Sequence, residues 1–255
     1  MKRLVSLCAL LALLLAACGD DAAEQATTIT AAPTTSGAGP AGTTTTAGTT
    51  TRPAPVVQMV TFPTADGLTL EGRLYPAGPT WVVLAHMFPA DMTSWFDFAA
   101  AAQQAGHTAL AYNNRGYGNS DPGEPLDVGA DARAAIAFAR ASGAARVFFF
   151  GASMNGAAAL FAGAEEDLAG IASLSGVPDW DNTPGLARAA EVTEPALFVA
   201  AADDGDAVAT AEAMAAAVGG ESQVQAYPVG GHGTDMFREN PGLTDLLLDF
   251  IRQHS

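Results

Sequence analysis

A serine near the middle of the chain has neighbours that suit it to nucleophilic chemistry. Ser153 lies in the segment Gly151-Ala152-Ser153-Met154-Asn155, directly after the apolar run Val147-Phe148-Phe149-Phe150. A run of small residues, Gly156-Ala157-Ala158-Ala159, follows at once. This order predicts a strand, a sharp turn and a helix, with the serine hydroxyl above the sheet edge at the positive end of the helix. Ser153 is therefore the first candidate for a nucleophile in covalent catalysis.

The motif around Ser153 departs at one position from the usual pattern G-x-S-x-G. Asn155 occupies the fifth position, and Gly156 comes one residue later. Asparagine accepts unusual backbone angles more readily than most residues, and Gly156 still allows a close approach of helix and strand. The alternative role for Ser153 is that of a helix N-cap, for which serine is a preferred residue.

Strand and helix patterns alternate along residues 56–255. Strands are predicted at 56–64, 68–75, 81–85, 108–112, 146–150, 170–174, 196–200 and 223–227. Helices are predicted from Trp95 to before Gly106, at 127–141, from the serine turn to about residue 164, at 207–218, and from near Pro241 onward. This alternation predicts an α/β fold with a mainly parallel, twisted sheet and helices on both faces. Residues 176–195 leave room for only a short helix at about 184–190, so we expect no large lid and an open site.

The first 55 residues have the composition of a targeting segment and a tether. Lys2 and Arg3 precede an apolar stretch that ends at Ala17, the pattern of a signal peptide over residues 1–17. The tetrapeptide Leu15-Ala16-Ala17-Cys18 resembles a bacterial lipobox, which implies cleavage before Cys18 and lipid attachment to its thiol. The alternative is an ordinary secretory signal in which Cys18 is incidental. Residues 18–55 are rich in Thr, Ala, Gly and Pro, and we expect a disordered tether there.

Composition excludes several classes of function for the domain predicted at residues 56–255. Both cysteines, Cys8 and Cys18, lie in the export segment, so the domain has neither a disulfide nor a thiolate metal site. The chain has a net charge of −16, and removing the positive charges of Lys2 and Arg3 makes it −18 and leaves no lysine. Nucleic-acid binding is not expected, because phosphate contacts require a basic patch.

Four motifs in this order resemble the α/β-hydrolase fold family over residues 56–255. Besides the serine turn, His86-Met87-Phe88-Pro89 follows the third predicted strand. At this place the family has an H-G-x-P-like loop whose backbone N–H helps to form the oxyanion hole, and we call it the oxyanion loop. Arg115-Gly116-Tyr117-Gly118-Asn119-Ser120 is similar to its R-G-x-G-x-S loop, and Gly231-His232-Gly233 stands where the family places a catalytic histidine. The resemblance implies a Ser-His-Asp triad and an oxyanion hole.

The resemblance and the positions of the residues give each group a role. His232 is the expected base, since His86 lies in the oxyanion loop as a structural hydrogen bonder and His107 and His254 lie away from the predicted site edge. Asp204 is the expected acid because Gly205 follows it, as glycine or proline commonly does in the family. Asp203 and Asp206 remain alternatives nearby, and Asp179 is a weaker one. The expected oxyanion donors are the backbone N–H groups of Phe88 and Met154.

The chain is thus expected to be a cell-envelope serine hydrolase that cleaves carboxylic esters through an acyl-enzyme intermediate. A peptidase or amidase with the same triad, and an inactive binding protein with this fold, are the alternatives. We expect a small ester substrate, no cofactor or metal, and a monomer held by its lipid on the outer face of the bacterial cytoplasmic membrane. A pocket for the acyl group could be lined by Met87, Phe88, Met154, Trp180 and Phe237, and ordinary core packing is the alternative for each of them.

Overall fold

The computed structural model describes residues 54–255. The predicted signal peptide at 1–17, the predicted lipidation at Cys18 and the predicted tether up to residue 53 lie outside the described residues. Within 54–255, no helix is both long enough and apolar enough to cross a membrane.

Eight strands form one sheet, and six of them are parallel. The strands are β1 (Gln58–Pro63), β2 (Thr69–Tyr75), β3 (Thr80–Ala85), β4 (Thr108–Tyr112), β5 (Arg146–Ala152), β6 (Gly170–Leu174), β7 (Ala196–Ala201) and β8 (Ser222–Tyr227). Their order is β1-β2-β4-β3-β5-β6-β7-β8. β2 is antiparallel to both β1 and β4, whereas all neighbours from β4 to β8 are parallel. The carboxyl ends of the parallel strands therefore meet at one edge, where sites are built in such sheets.

Helices cover both faces of this sheet. They are α1 (Phe96–Gln104), α2 (Val128–Ala141), α3 (Met154–Glu165), α4 (Ala207–Ala217), α5 (Met236–Glu239) and α6 (Leu243–Gln253). Side chains of α2, α3 and α4 pack with Phe149 on one face, while those of α1 and α6 pack with Phe148 and Phe150 on the other. Adjacent β5 residues thus serve opposite cores, because successive side chains of a strand point to opposite faces. The predicted α/β class is confirmed.

The predicted element boundaries differ from the structure by a few residues. Trp95 ends a 3-10 turn that begins at Met92, and the α-helix itself starts at Phe96. β5 extends two residues beyond the prediction, to Ala152, so that the strand runs directly into Ser153. The connection between β6 and β7 contains a 3-10 helix, Leu186–Glu191, and no large lid.

A buried ion pair holds the loop that follows β4. The Arg115 guanidinium contacts Asp131 of α2 at 2.8 Å, and Asp66 of the β1–β2 turn at 2.9 Å. The Arg115 backbone N–H also donates to the Asp131 carboxylate, at 2.8 Å. The arginine of the R-G-x-G-x-S motif therefore joins this loop to one helix and one turn.

Candidate active site

Ser153 occupies a strained turn between β5 and α3. Its φ is 51° and its ψ is −112°, a conformation that is costly for a residue with a side chain and is typical of functional turns. The Ser153 N–H donates to the Leu174 carbonyl at 2.9 Å, and the Ser153 carbonyl accepts from the Val177 N–H at 3.1 Å. The end of β6 and the loop after it thereby hold the backbone on both sides of the Ser153 side chain. Ser153 makes no side-chain cap hydrogen bond to the helix, contrary to the N-cap alternative.

Two glycines make the turn sterically possible. A Cβ at Gly151 would lie 2.0 Å from the Asn155 carbonyl oxygen, and a Cβ at Gly156 would lie 2.4 Å from the Gly176 Cα. Real Cβ atoms do not approach other atoms so closely. Gly156 therefore allows α3 to pass against the loop after β6, although it stands one position beyond the usual glycine.

His232 and Asp204 meet at the carboxyl edge of the sheet. The His232 Nδ1 lies 2.8 Å from Asp204 Oδ2, and the two side chains are 41% and 20% exposed. Because a carboxylate only accepts hydrogen bonds, Nδ1 carries the hydrogen and Nε2 keeps a free lone pair. This is the tautomer that can take a proton from a serine hydroxyl.

The loop that carries His232 packs against the residues that flank Ser153. A Cβ at Gly233 would lie 2.7 Å from the Met87 sulfur and 3.5 Å from the Ala152 Cβ. Thr234 Oγ1 lies 3.6 Å from the same sulfur. Within residues 54–255 the Ser153 hydroxyl makes no hydrogen bond to His232, a contact that is often loose before substrate binds.

The neighbouring carboxylates have other contacts. Asp203 Oδ1 accepts from the backbone N–H groups of Gly230 and Gly231, at 2.9 and 3.1 Å, and so holds the start of the histidine loop. Sequence reasoning kept Asp203 only as an alternative acid, because nothing local to it reveals a contact with a residue 27 positions away. Asp206 directly precedes α4 and makes no side-chain cap hydrogen bond to it. Asp179 is exposed and accepts from the Leu186 N–H at 3.1 Å.

The two expected oxyanion donors lie at the start of α3 and in the loop after β3. Met154 is the first residue of α3, so its N–H is one of the helix amides that lack an intrahelical acceptor. Phe88 lies in the loop after β3, and its N–H donates to none of the other described residues. The Phe88 side chain is 59% exposed.

His86 is a buried structural group in this loop. Its Nε2 accepts from the Asn114 N–H at 3.1 Å, so the hydrogen is on Nδ1, which donates to the Met87 carbonyl at 3.0 Å. Burial lowers the pKa of His86 and favours its neutral form. The expectation that His86 is a hydrogen bonder agrees with this geometry.

The serine turn, the loop after β3 and the loop after β8 thus lie at the same edge of the sheet. A model of the family described as alpha/beta hydrolase fold matches residues 80–220. The chain belongs to this family. The matched range includes Ser153 and Asp204 and stops before His232, so the match does not extend to the histidine loop.

Solved structures of other hydrolases have the same fold. An esterase from Pyrococcus furiosus is 14% identical with a TM-score of 0.65, and the match covers 79% of this chain and 91% of the esterase. An esterase from Exiguobacterium antarcticum is 16% identical with a TM-score of 0.65, and the match covers 76% of this chain and 100% of that esterase. A dienelactone hydrolase from Anabaena variabilis is 21% identical with a TM-score of 0.65, and the match covers 78% of this chain and 98% of the dienelactone hydrolase. No curated protein sequence matches the chain.

The expected apolar acyl pocket of the hydrolase fold is only partly supported. Met154 is fully buried in the core between the sheet and α2, α3 and α4. Phe237 packs against Trp95 and Phe98, with ring centroids 5.6 and 5.9 Å apart, and lines a groove of about 550 Å³ that includes neither Ser153 nor His232. Both side chains are therefore core or groove residues. Phe88 alone of the five is exposed.

Proposed function

We propose that this protein is a serine hydrolase that cleaves carboxylic esters through an acyl-enzyme intermediate. The observation that carries the proposal is the 2.8 Å hydrogen bond between Asp204 and His232, on a loop packed beside the strained Ser153. The names of two structural neighbours, both esterases, support an ester substrate for this chain as well.

The proposed reaction has two halves, formation of the acyl-enzyme and its hydrolysis by water. Ser153 Oγ bonds to the ester carbonyl carbon while His232 Nε2 takes the hydroxyl proton. The carbonyl oxygen becomes an oxyanion that accepts from the N–H groups of Phe88 and Met154. Collapse breaks the bond to the alcohol, which leaves with the proton from His232. Water then attacks the acyl-enzyme with the same proton transfers and releases the acid.

We propose further that the enzyme is exported and anchored to the outer face of the bacterial cytoplasmic membrane through a lipid on Cys18. The support is the sequence of residues 1–18 and the Thr-, Ala-, Gly- and Pro-rich segment that follows. An open site without a large lid suits small esters, or esters presented at a surface.

Labelling with a fluorophosphonate probe tests the activity without knowledge of the substrate. We expect the purified domain to be labelled and to hydrolyse short p-nitrophenyl esters. Ser153→Ala should lose labelling and lower kcat by roughly 10⁴-fold or more, with the fold retained. Ser142→Ala, an exposed serine after α2, is the matched control and should behave as wild type. An unlabelled wild-type protein would leave the fold without this activity, and preferential cleavage of an anilide would favour the amidase alternative.

A further inference from the structure

Asn155 is the residue at which the serine turn departs from the family pattern G-x-S-x-G, and it is fully buried in the first turn of α3. Its side-chain Nδ2 donates to the His86 carbonyl at 2.6 Å and to Asn114 Oδ1 at 2.8 Å. Because a main-chain carbonyl only accepts, the amide NH₂ group must face His86. A glycine at this position could make neither bond.

The amide oxygen of Asn155 shows that packing alone does not explain the residue. Asn155 Oδ1 is buried and accepts no hydrogen bond from any residue in 54–255. A buried acceptor without a partner costs about 1–3 kcal/mol. An apolar side chain or the usual glycine would avoid this cost. What asparagine provides here, and those residues would not, is the pair of hydrogen bonds that its Nδ2 donates.

Those bonds act on the loop that carries Phe88. Asn155 holds the carbonyl of His86, and the His86 ring in turn holds the carbonyl of Met87 at 3.0 Å. Two successive carbonyls of the loop are therefore anchored by groups that are themselves buried. The Asn114 N–H donates to Nε2, which therefore carries no hydrogen, and burial lowers the pKa of the ring and so favours this neutral form.

Anchoring the Met87 carbonyl also fixes the direction of the Phe88 N–H. The two groups belong to one planar peptide, and in a trans peptide the C=O and the N–H point in opposite directions. If the carbonyl points toward the His86 ring, the N–H must point away from it. A small rotation of this peptide would turn the donor away from a developing oxyanion.

We propose that Asn155 is a positioning residue for the oxyanion hole, which acts through His86 and the 87–88 peptide to aim the Phe88 N–H at the oxyanion formed on Ser153. This inference rests on the proposed function, because it assigns a task within that reaction. Asn155 touches no reacting atom itself; it acts by restricting the loop.

Steady-state kinetics of Asn155→Ala and Asn155→Gly test the proposal. Loss of one oxyanion donor costs about 10²–10³-fold in kcat, and misdirection of the Phe88 N–H should cost roughly 10²-fold with KM changed less than about 3-fold. Rates are expressed per active site titrated with the fluorophosphonate, so that a smaller folded fraction does not count as lower kcat. The alanine variant keeps helix propensity, and the glycine variant restores the family residue, so a folding defect in one leaves the other as the test.

Ser173→Ala is the matched control. Ser173 is buried against Gly156 and Gly176 beneath the same helix, and its hydroxyl has no partner among the described residues. It should keep wild-type kcat and KM. Unchanged kcat per titrated site in both Asn155 variants would overturn the positioning role while the hydrolase stands. A wild type that neither reacts with the probe nor cleaves esters would overturn the proposed function, and the positioning role with it.

Discussion

At the scale of single residues, the adjacent carboxylates Asp203 and Asp204 have separate tasks. Asp204 contacts the imidazole of His232, whereas Asp203 binds two backbone N–H groups at the start of the same loop. One acid thus contacts the ring and the other secures its support. Both residues lie in the turn that follows β7, where the Asp204 N–H donates to the Ala201 carbonyl at 3.2 Å, and from this turn their side chains reach different partners.

Amide substitutions should separate these tasks. Asp204→Asn is expected to lower kcat by roughly 10⁴-fold, because the amide stabilises the wrong tautomer of the histidine. Asp203→Asn still presents an oxygen to Gly230 and Gly231, so we expect a loss of about 10-fold or less, and Asp206→Asn should be close to wild type. Ester hydrolysis by the three purified variants gives the comparison. If Asp203→Asn loses activity while Asp204→Asn keeps it, the acid of the triad is Asp203 and not Asp204.

His86 should make the stability of the domain depend on pH. Burial lowers its pKa in the folded state below the ordinary value of 6.5. The unfolded chain therefore binds a proton more readily, and stability present above about pH 6.5 is lost as the pH falls toward the lowered pKa. Urea unfolding at several pH values should show a smaller acid-dependent loss for His86→Gln than for wild type. Parallel profiles for the two proteins would contradict this, whatever their absolute stabilities.

At the scale of elements, the site depends on loops held by polar contacts between distant parts of the chain. The loop after β4 is joined to α2 by Arg115 and Asp131, and it supplies Asn114 to the network beneath the oxyanion loop. The loop after β8 packs on Met87, which occupies the usual glycine position of the oxyanion loop. Both departures from the family pattern thus hold loops of the site: Met87 contacts the loop after β8, and Asn155 bonds from α3 to the loops after β3 and β4.

Breaking the buried pair should cost far more than breaking its exposed branch. Asp131→Ala leaves the guanidinium of Arg115 buried without its main partner, and we expect the free energy of unfolding to fall by about 3 kcal/mol or more. Asp66→Ala removes a carboxylate that is 51% exposed, so its effect should be about 1 kcal/mol or less. Denaturant unfolding of both variants measures the difference. Equal losses would mean that burial does not set the strength of this pair.

At the scale of the whole molecule, the proposed lipid anchor at Cys18 can be tested separately from the proposed activity. If Cys18 carries lipid, the full-length protein should fractionate with membranes in a bacterial host. Cys18→Ser should then abolish lipid incorporation and release the protein from the membrane fraction or stop its maturation. Cys8→Ser, in the apolar part of the same segment, is the matched control and should stay with the membranes. Mass spectrometry that finds an unmodified N-terminus elsewhere would contradict the anchor.

The sequence by itself determined the element order, the fold family and the local shape of the serine turn. Each depends on neighbours along the chain: apolar runs for buried strands, helical periodicity, and the small residues around Ser153. His232 and Asp204 were assigned through motifs that stand at the ends of predicted strands, and parallel strands bring such ends to one edge.

Only the tertiary structure decided how these loops hold one another. The bonds of Asp203 to Gly230, of Asn155 to His86, and of Arg115 to Asp66 join residues 27, 69 and 49 positions apart. No periodicity relates such residues, because their contact depends on loop paths and side-chain directions set by the packed sheet and helices. The same reason explains why the sequence left Met154 and Phe237 open between pocket lining and core packing, whereas in the structure they lie in the core and in a separate groove.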